Sequence, residues 1–325
     1  MGLLLGAAAD ALFADPTRWH PVAGFGRLAG RLERACYADN RAAGVGYAAL
    51  CTGAAVGLGV VLSRAVRGRP VAETLTVAAV TWTVLGGTSL AGEAAALAGE
   101  LEGGGLDGGG LDGGGLDGRP NALDAARARI PHLCGRDPNA LDAAGMVRAA
   151  CESVAENTSD AVVGPLLFGA VAGLPGLLGY RAVNTLDAMV GYRSERYHRF
   201  GWAAARADDL VNLVPARLTA ALTVAAAPLL GGSPAAAVRA WRRDAGGHPS
   251  PNAGPVEAAA AGALGVRLGG LTRYPHGVEL RPVLGDGPPP GPADLRRMVR
   301  LSRLLGWAAA GLAALVAVLV PHAPG

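Results

Sequence analysis

Three apolar stretches near the length of a membrane-crossing helix constrain the fold more than any other feature of this chain. They cover residues 47–62 with their flanks, 71–90 and 301–320. A helix needs about 20 mainly apolar residues to cross the ~30 Å hydrocarbon core of a bilayer. Charged residues make up 17% of the chain, against roughly 25% in soluble domains, and the mean hydropathy is +0.30. We therefore predict a multi-pass membrane protein.

Two further apolar stretches, 161–180 and 215–230, are also candidates for spans. The first is interrupted by Gly164, Pro165, Gly169, Gly173, Pro175, Gly176 and Gly179. Glycine and proline residues at this density are typical of a broken or re-entrant helix that lines a cavity. We predict an all-α fold: a polytopic membrane helical bundle with re-entrant or broken helices and helical cytoplasmic segments, forming one domain over 1–325. The arginine distribution leaves the number and orientation of the spans open.

A low-complexity segment lies at 103–118, where Gly-Gly-Gly-Leu-Asp occurs three times. It is too rich in glycine to hold a helix or strand. We expect a flexible insertion that carries no chemistry.

All 29 basic residues are arginine, because the chain has no lysine. This excludes a Walker phosphate loop with its lysine, a Schiff base and a Ser–Lys dyad. Phosphate must be held by arginine, backbone amides or a metal ion. The net charge of +3 gives no indication of nucleic-acid binding.

One acidic string, from residue 152 to 160, precedes an apolar segment. On a helix Glu152, Glu156 and Asp160 fall within an arc of about 80°, with Ser153 and Asn157 at its edge. Carboxylates stacked in this way repel one another, so the stripe calls for an arginine or Mg²⁺. A solvated helix face before a membrane segment is the alternative.

A second string contains Asp208, Asp209 and Asn212, which share one helix face and resemble the oxygen ligands of Mg²⁺. Arg206 and Arg217 flank this string. Asn184 and Asp187 form a third pair. The loop at 248–255, with Asn252 and Gly254, precedes an alanine-rich helix, so its amides could bind an anion. Ordinary helix capping explains each of these patterns as an alternative.

Taken together, these strings are more specific than any one alone. They occur in the order Asp15-Pro16…Trp19-His20-Pro21, Glu152 to Asp160, Tyr180 to Asp187, Asp208-Asp209…Asn212…Pro215-Ala216-Arg217, Ser250 to Gly254 and Leu268-Gly269-Gly270. In this order they resemble the CobD/CbiB family, and the resemblance runs from about residue 3 to 310. The family is that of the membrane-bound adenosylcobinamide-phosphate synthase of cobalamin synthesis.

The resemblance implies an ATP-dependent amide ligation that uses Mg²⁺. The carboxylate of adenosylcobyric acid is joined to the amine of (R)-1-aminopropan-2-yl phosphate, or of free aminopropanol. The implied partners are a corrinoid, aminopropanol phosphate and the lipid bilayer, while a homo-oligomer stays open. The implied location is the plasma membrane, with the active site facing the cytoplasm.

The residue roles that follow from the resemblance fall into three groups. The catalytic group is Glu152, Glu156, Asp187 and Asp208. Substrate and phosphate are assigned to Asn157, Arg181, Asn184, Arg206, Arg217, Asn252 and Gly254. The metal is assigned to Glu156, Asp160, Asp208, Asp209 and Asn212.

Two other classes of function fit parts of the pattern. A membrane transporter of a corrinoid or another anionic solute would also place polar residues at broken helices, and it predicts an inverted repeat, which the sequence does not show. A Mg²⁺-dependent phosphoryl or prenyl transferase would fit the aspartates at 208 and 209. It would call for a second aspartate-rich box, which 152–160 resembles only loosely.

Overall fold

The computed structural model describes residues 1–16, 20–103, 122–192, 194–274 and 277–319, with side chains at 272–279 excepted. Trp19 and residues 104–118 of the glycine-rich insertion therefore lie outside the described residues. Gly103 is described, as the last residue of a helix.

The described chain is predominantly helical, as predicted. Its helices are α1 (Gly2–Phe13), α2 (Pro21–Cys36), α3 (Arg41–Val66), α4 (Pro70–Val84), α5 (Gly87–Gly103), α6 (Ala122–Leu133), α7 (Ala143–Thr158), α8 (Gly164–Val190), α9 (Trp202–Val211), α10 (Leu213–Ala226), α11 (Pro234–Asp244), α12 (Ala253–Leu264) and α13 (Pro292–Leu319). A π-helical turn, Ser159–Val163, separates α7 from α8, and a 3₁₀ turn, Ala227–Leu230, follows α10.

Within the described residues, five helical segments are long and apolar enough to cross a membrane. They are Arg41–Val66, Pro70–Gly103, Ala143–Val190, Leu213–Leu230 and Pro292–Leu319. This confirms the expectation of a polytopic membrane protein. The stretch 71–90 is not one continuous helix, however, because α4 ends at Val84 and α5 begins at Gly87. In the break, the N–H of Gly86 donates to the carbonyl of Ala161 at 3.3 Å.

The contacts divide the chain into two compact units. Unit 1 holds the described residues of 1–88, 159–215 and 306–325, and unit 2 those of 89–158 and 216–305. In unit 1, α3 packs along α8 and α1 packs along α4. The approach of α3 to α8 requires glycine at position 59, because a Cβ there would lie 2.6 Å from the backbone of Pro175.

The predicted break in the apolar stretch 161–180 is confirmed within unit 1. Gly173 leaves helical geometry, with φ 60° and ψ −143°, two residues before Pro175 inside α8. Positive φ favours glycine, and proline removes a helical hydrogen bond, so the sequence itself causes the kink.

Unit 2 is built on an apolar core in which α6, α7, α12 and the first half of α13 share buried residues such as Ile130, Met146 and Leu295. It also contains a feature that the sequence analysis did not predict, an antiparallel hairpin of β1 (Leu268–Tyr274) and β2 (Gly277–Leu284). Leu268 pairs with Leu284, and both are fully buried, which fixes the hairpin against the core.

Candidate functional site

Unit 1 brings four of the predicted site residues together on α8 and α9. The amide of Asn184 donates to Oδ1 of Asp208 at 3.4 Å, and Arg181 donates to Oδ1 of Asn184 at 3.4 Å. The hydroxyl of Tyr180 donates to Oδ1 of Asn212 at 2.5 Å. We call Tyr180, Arg181, Asn184, Asp208 and Asn212 the unit 1 cluster.

The local sequence explains how these side chains meet. Arg181 and Asn184 are three residues apart on α8, so they share one face of the helix. Asp208 lies in the last turn of α9, and Asn212 follows as its C-cap, where its N–H donates to the carbonyl of Asp208 at 3.0 Å. Asp208 and Asn212 were predicted to share one helix face, and the structure places both at the C-terminal end of α9.

Asp208 supplies the carboxyl group of the unit 1 cluster, and the pKa of this group is perturbed. Burial raises its pKa to about 6, and the charge of Asp209 adds to the shift, while the amides of Asn184 and Asn212 oppose it. A carboxylate that is desolvated in this way is stabilised by a cation or a proton. Perturbed groups of this kind are concentrated at functional sites.

Arg181 is the cation of the unit 1 cluster. The charges of Asp15 and Asp160 both act on its guanidinium group, and its buried Nε has no hydrogen-bond partner. Asp160 therefore belongs to this neighbourhood, as does Asp15, which was not among the predicted site residues. The signal for Asp15 was present, because it opens the first of the strings that carry the resemblance.

Asp209, Arg206 and Asp187 lie at the margin of this group. Asp209 forms an ion pair with Arg206 at 3.1 Å, and the Arg206 side chain is 64% exposed. Asp187 lies in the last turn of α8, where its carbonyl accepts from the N–H of Gly191 at 2.7 Å. The structure places Asp187 on the same helix as Arg181, and its predicted catalytic role stays a prediction.

In unit 2, Glu152 is buried and held on both oxygens. Arg136 forms an ion pair with Oε2, and the N–H of Gly269 donates to Oε1 at 2.7 Å. Only 2% of Glu152 is exposed. A carboxylate bound in this way supports the packing of α7 against the hairpin. Its predicted catalytic role stays a prediction.

A second buried pair lies near Glu152, between His248 and Glu257. Nε2 of His248 is 3.9 Å from Oε2 of Glu257, and the side chains are 3% and 1% exposed. Burial raises the pKa of Glu257 well above its usual range, and the charges of Glu152 and Glu156 add to the shift. Burial lowers the pKa of His248. Burial thus favours the neutral form of both groups.

The loop before α12 was predicted to bind an anion through its backbone amides, but several of these amides form hydrogen bonds within the loop. Nη1 of Arg217 donates to Oδ1 of Asn252 at 2.8 Å. The helix is capped by Ser250, whose hydroxyl accepts from the N–H groups of Asn252 and Ala253 at 3.3 and 3.1 Å. The N–H of Gly254 donates to the carbonyl of Ser250 at 3.4 Å. The loop amides are engaged locally, which leaves Arg217 as the group in this part of unit 2 best suited to an anion.

The remaining predicted residues, Glu156 and Asn157, lie on α7. Nδ2 of Asn157 donates to the carbonyl and the hydroxyl of Ser153 at 3.0 and 3.2 Å. Glu156 is close enough to Glu257 for their charges to interact. The acidic stripe predicted on one helix is divided, because α7 ends at Thr158 and Asp160 lies in the π-helical turn. That all the predicted residues share one pocket stays a prediction.

Among the described residues, no three His, Cys, Asp or Glu side chains form a ready-made metal site. Mg²⁺ does not need one, because it is commonly held by one or two carboxylates together with substrate phosphates. The half-buried carboxylate of Asp208 fits one such ligand position, whereas Oδ1 of Asn184 and Oδ1 of Asn212 already accept hydrogen bonds from Arg181 and Tyr180. The fit depends on the desolvation of this carboxylate, which favours a bound cation or a proton.

These observations define a class: a multi-pass helical membrane protein with buried clusters of acids, amides and arginines. The chain belongs to the CobD/CbiB family, since the family described as "CobD/Cbib protein" matches it over residues 3–302. This confirms the resemblance drawn from the sequence.

Three curated relatives, each called "Cobalamin biosynthesis protein CobD", cover nearly all of the chain. The protein from Mycobacterium tuberculosis is 54% identical over 317 residues, which is 97% of this chain and 95% of that one. The protein from Chromobacterium violaceum is 43% identical over 322 residues, 97% and 96% of the two chains. The protein from Geobacter metallireducens is 42% identical over 319 residues, 95% and 93%. No solved structure matches the chain.

Proposed function

We propose that this chain acts in cobalamin biosynthesis, and that it joins the carboxylate of adenosylcobyric acid to the amine of (R)-1-aminopropan-2-yl phosphate, or of aminopropanol, at the expense of ATP. The observation that carries the proposal is the family match over nearly the whole chain, with relatives named for cobalamin biosynthesis. The unit 1 cluster supplies groups that suit the chemistry.

Amide formation from a carboxylate and an ammonium group is uphill in water, so the carboxylate has to be activated. In the proposed reaction a carboxylate oxygen attacks the terminal phosphorus of ATP and releases ADP. The amine then attacks the acyl carbon of the acyl phosphate, inorganic phosphate leaves, and a base takes the ammonium proton. The protein must therefore bind anionic oxygens and accept one proton.

The described residues can be assigned to these tasks. Asp208 would hold Mg²⁺ together with substrate phosphates, and the bound ion would neutralise phosphate oxygens. Arg181 would bind phosphate in unit 1, where its Nε has no other partner. In unit 2, Arg217 would bind a second anionic group, with Asn252 fixing the orientation of its guanidinium.

The membrane setting of the proposal follows from the five candidate spans. We propose the plasma membrane, with the site facing the cytoplasm, because the cytoplasm supplies ATP. A transporter is the rival supported by a specific observation, since α8, which carries Arg181 and Asn184, is broken at Gly173.

One experiment separates the two functions. Purified protein in detergent is given ATP, Mg²⁺, adenosylcobyric acid and aminopropanol phosphate, and ADP and the corrinoid amide are measured. We expect stoichiometric ADP and amide, with neither product when aminopropanol phosphate is left out. No ATP-dependent amide, together with corrinoid uptake by vesicles containing the protein, would replace the ligase with the transporter.

A further inference from the structure

Helix α2 carries three exposed arginines in a row along one side, Arg27, Arg31 and Arg34. At 100° per residue they fall within an arc of about 60°. Ala29 and Glu33 are buried on the side of the helix turned away from the arginines, and the buried Gly30 adjoins Arg34. We call the three arginines the arginine stripe.

The buried side of α2 packs on the ends of two helices of membrane-spanning length. A Cβ at Gly26 or Gly30 would lie within 3.8 Å of the Met189 side chain, one residue before the end of α8. Phe25 and Leu32 pack against a cluster that also contains residues of α3. Because α8 ends at Val190 and α3 begins at Arg41, α2 lies at the level where the chain leaves the hydrocarbon.

The same end of unit 1 has aromatic residues paired with arginines. The Arg196 guanidinium lies 4.2 Å from the ring centre of Tyr37, and that of Arg41 lies 4.9 Å from the ring centre of Trp202. Tyr and Trp are enriched where a bilayer meets water, and each gains from a cation over its ring. This end therefore has the composition of a membrane–water interface.

The charge of the arginine stripe is not compensated by its own helix. Glu33 is the single acid of α2, and it is turned inward, where it accepts from Arg196 at 2.9 Å and from the Tyr197 hydroxyl at 3.0 Å. None of the three stripe arginines forms an ion pair with a residue in the described part of the chain. Leu28, beside the stripe, is 63% exposed.

We propose that α2 is an interfacial helix whose arginine stripe binds the phosphates of anionic phospholipids, with Leu28 contacting their acyl chains. A phospholipid supplies both a phosphate and an apolar chain, which matches a basic stripe that adjoins an exposed leucine. A soluble phosphate would account for the arginines alone. The proposal is independent of the ligase reaction, since it concerns a surface that carries none of the residues assigned to that reaction.

The test measures binding of dioctanoyl phosphatidylglycerol to the detergent-solubilised full-length protein by microscale thermophoresis. Basic residues at an anionic surface contribute about fivefold each, so R27Q/R31Q should weaken the affinity by at least tenfold. R27K/R31K keeps both charges and should retain most of the binding. The matched control is R239Q/R242Q, which removes two exposed arginines from α11.

Three results would overturn the proposal. The first is an affinity of R27Q/R31Q for phosphatidylglycerol that equals the parent's. The second is a loss of affinity in R239Q/R242Q as large as in R27Q/R31Q, which would show an effect of net charge alone. The third is competition by inorganic phosphate at the lipid's own concentration, which would indicate a site for free phosphate. Dioctanoyl phosphatidylcholine, which has no net charge, should bind the parent at least tenfold more weakly than phosphatidylglycerol. An unchanged melting temperature in every variant shows that the fold is intact.

Discussion

The hydroxyl of Tyr180 donates to Oδ1 of Asn212, and this bond of 2.5 Å joins the kinked helix α8 to the end of α9. Asn212 is 1% exposed and caps the turn that carries Asp208. Gly164 lies against the Tyr180 hydroxyl, where a Cβ would be only 2.1 Å away. The position of Asp208 thus depends on a glycine that no charge pattern would have identified.

Gly164→Ala should disturb the unit 1 cluster without removing any of its polar groups. The added methyl group cannot fit beside the Tyr180 hydroxyl, so the ring has to move and its bond to Asn212 is lost. We expect at least tenfold lower ligation activity and a melting temperature several degrees lower, since overpacking costs about 1–3 kcal/mol.

The matched control is Gly53→Ala in α3, where no atom lies within 4 Å of the new Cβ. It should keep full activity, and it should be neutral or slightly stabilising, because alanine is the better helix former. Equal activities of the two variants would contradict the role assigned to the Tyr180–Asn212 bond.

Asp208→Asn should raise the stability of the protein at high pH and lower its ligation activity. Because the pKa of Asp208 is raised to about 6, its contribution to stability is present at low pH and is lost as the pH rises through that value. Asparagine removes the ionised form, so the variant should be more stable than the parent at pH 8, by up to about 3 kcal/mol. At pH 4 it should show no gain. Melting temperatures at the two pH values check this.

The same variant should lose about a hundredfold or more in ligation activity, since the proposed metal ligand is gone. The parent's activity should fall as the pH drops below about 6, when Asp208 takes up a proton. The control is Asp39→Asn, which removes an exposed carboxylate of the same unit that pairs with Arg199 at 3.6 Å, and it should keep the parent's activity. Activity of Asp208→Asn above a tenth of the parent's would remove Asp208 from the mechanism.

The sequence predicted the fold class well, because membrane helices are encoded by local composition. The kink in α8 was also predictable, since Gly173 and Pro175 act on their own backbone. The break between α4 and α5 was not, because residues 85–87 remain apolar and their hydrogen bond goes to Ala161, 75 positions further along the chain. The β-hairpin was missed because its strands are set by burial against unit 2.

The candidate site shows the same division between local and long-range information. Asp208 and Asn212 could be grouped from spacing, and the structure places both in the unit 1 cluster. Asn184 was paired with Asp187 from spacing, and the structure places it in contact with Arg181 and Asp208. Arg136, His248 and Glu257 were missed because their partners are distant in sequence. Glu257 did leave a signal, as the lone acid in the apolar helix α12, which is the same argument that selected Glu152.

Glu152→Gln tests whether this residue is mainly structural. Removing one member of a buried ion pair leaves the other charge uncompensated, at a cost of about 3–5 kcal/mol. We therefore expect a large drop in melting temperature, and the double variant R136Q/E152Q should recover part of it. The control is Asp124→Asn, which breaks an exposed pair with Arg127 and should cost less than about 1 kcal/mol. An unchanged melting temperature with lost turnover would instead support the predicted catalytic role of Glu152.

Glu257→Gln should stabilise the protein increasingly as the pH rises. Burial raises the pKa of Glu257, so the folded state keeps a proton that the unfolded chain has already released. The parent therefore loses stability as the pH rises above the usual range of a glutamate, at about 1.4 kcal/mol per pH unit, until Glu257 ionises. Glutamine has the same shape and no such cost. The difference in melting temperature between variant and parent should grow as the pH rises from 5 toward 8, and it should level off once Glu257 ionises. The exposed Glu195→Gln should show no such trend.

A difference that stays constant over this range would mean that Glu257 is ionised in the folded protein and is balanced by Arg136 and Arg281, whose charges already oppose the shift.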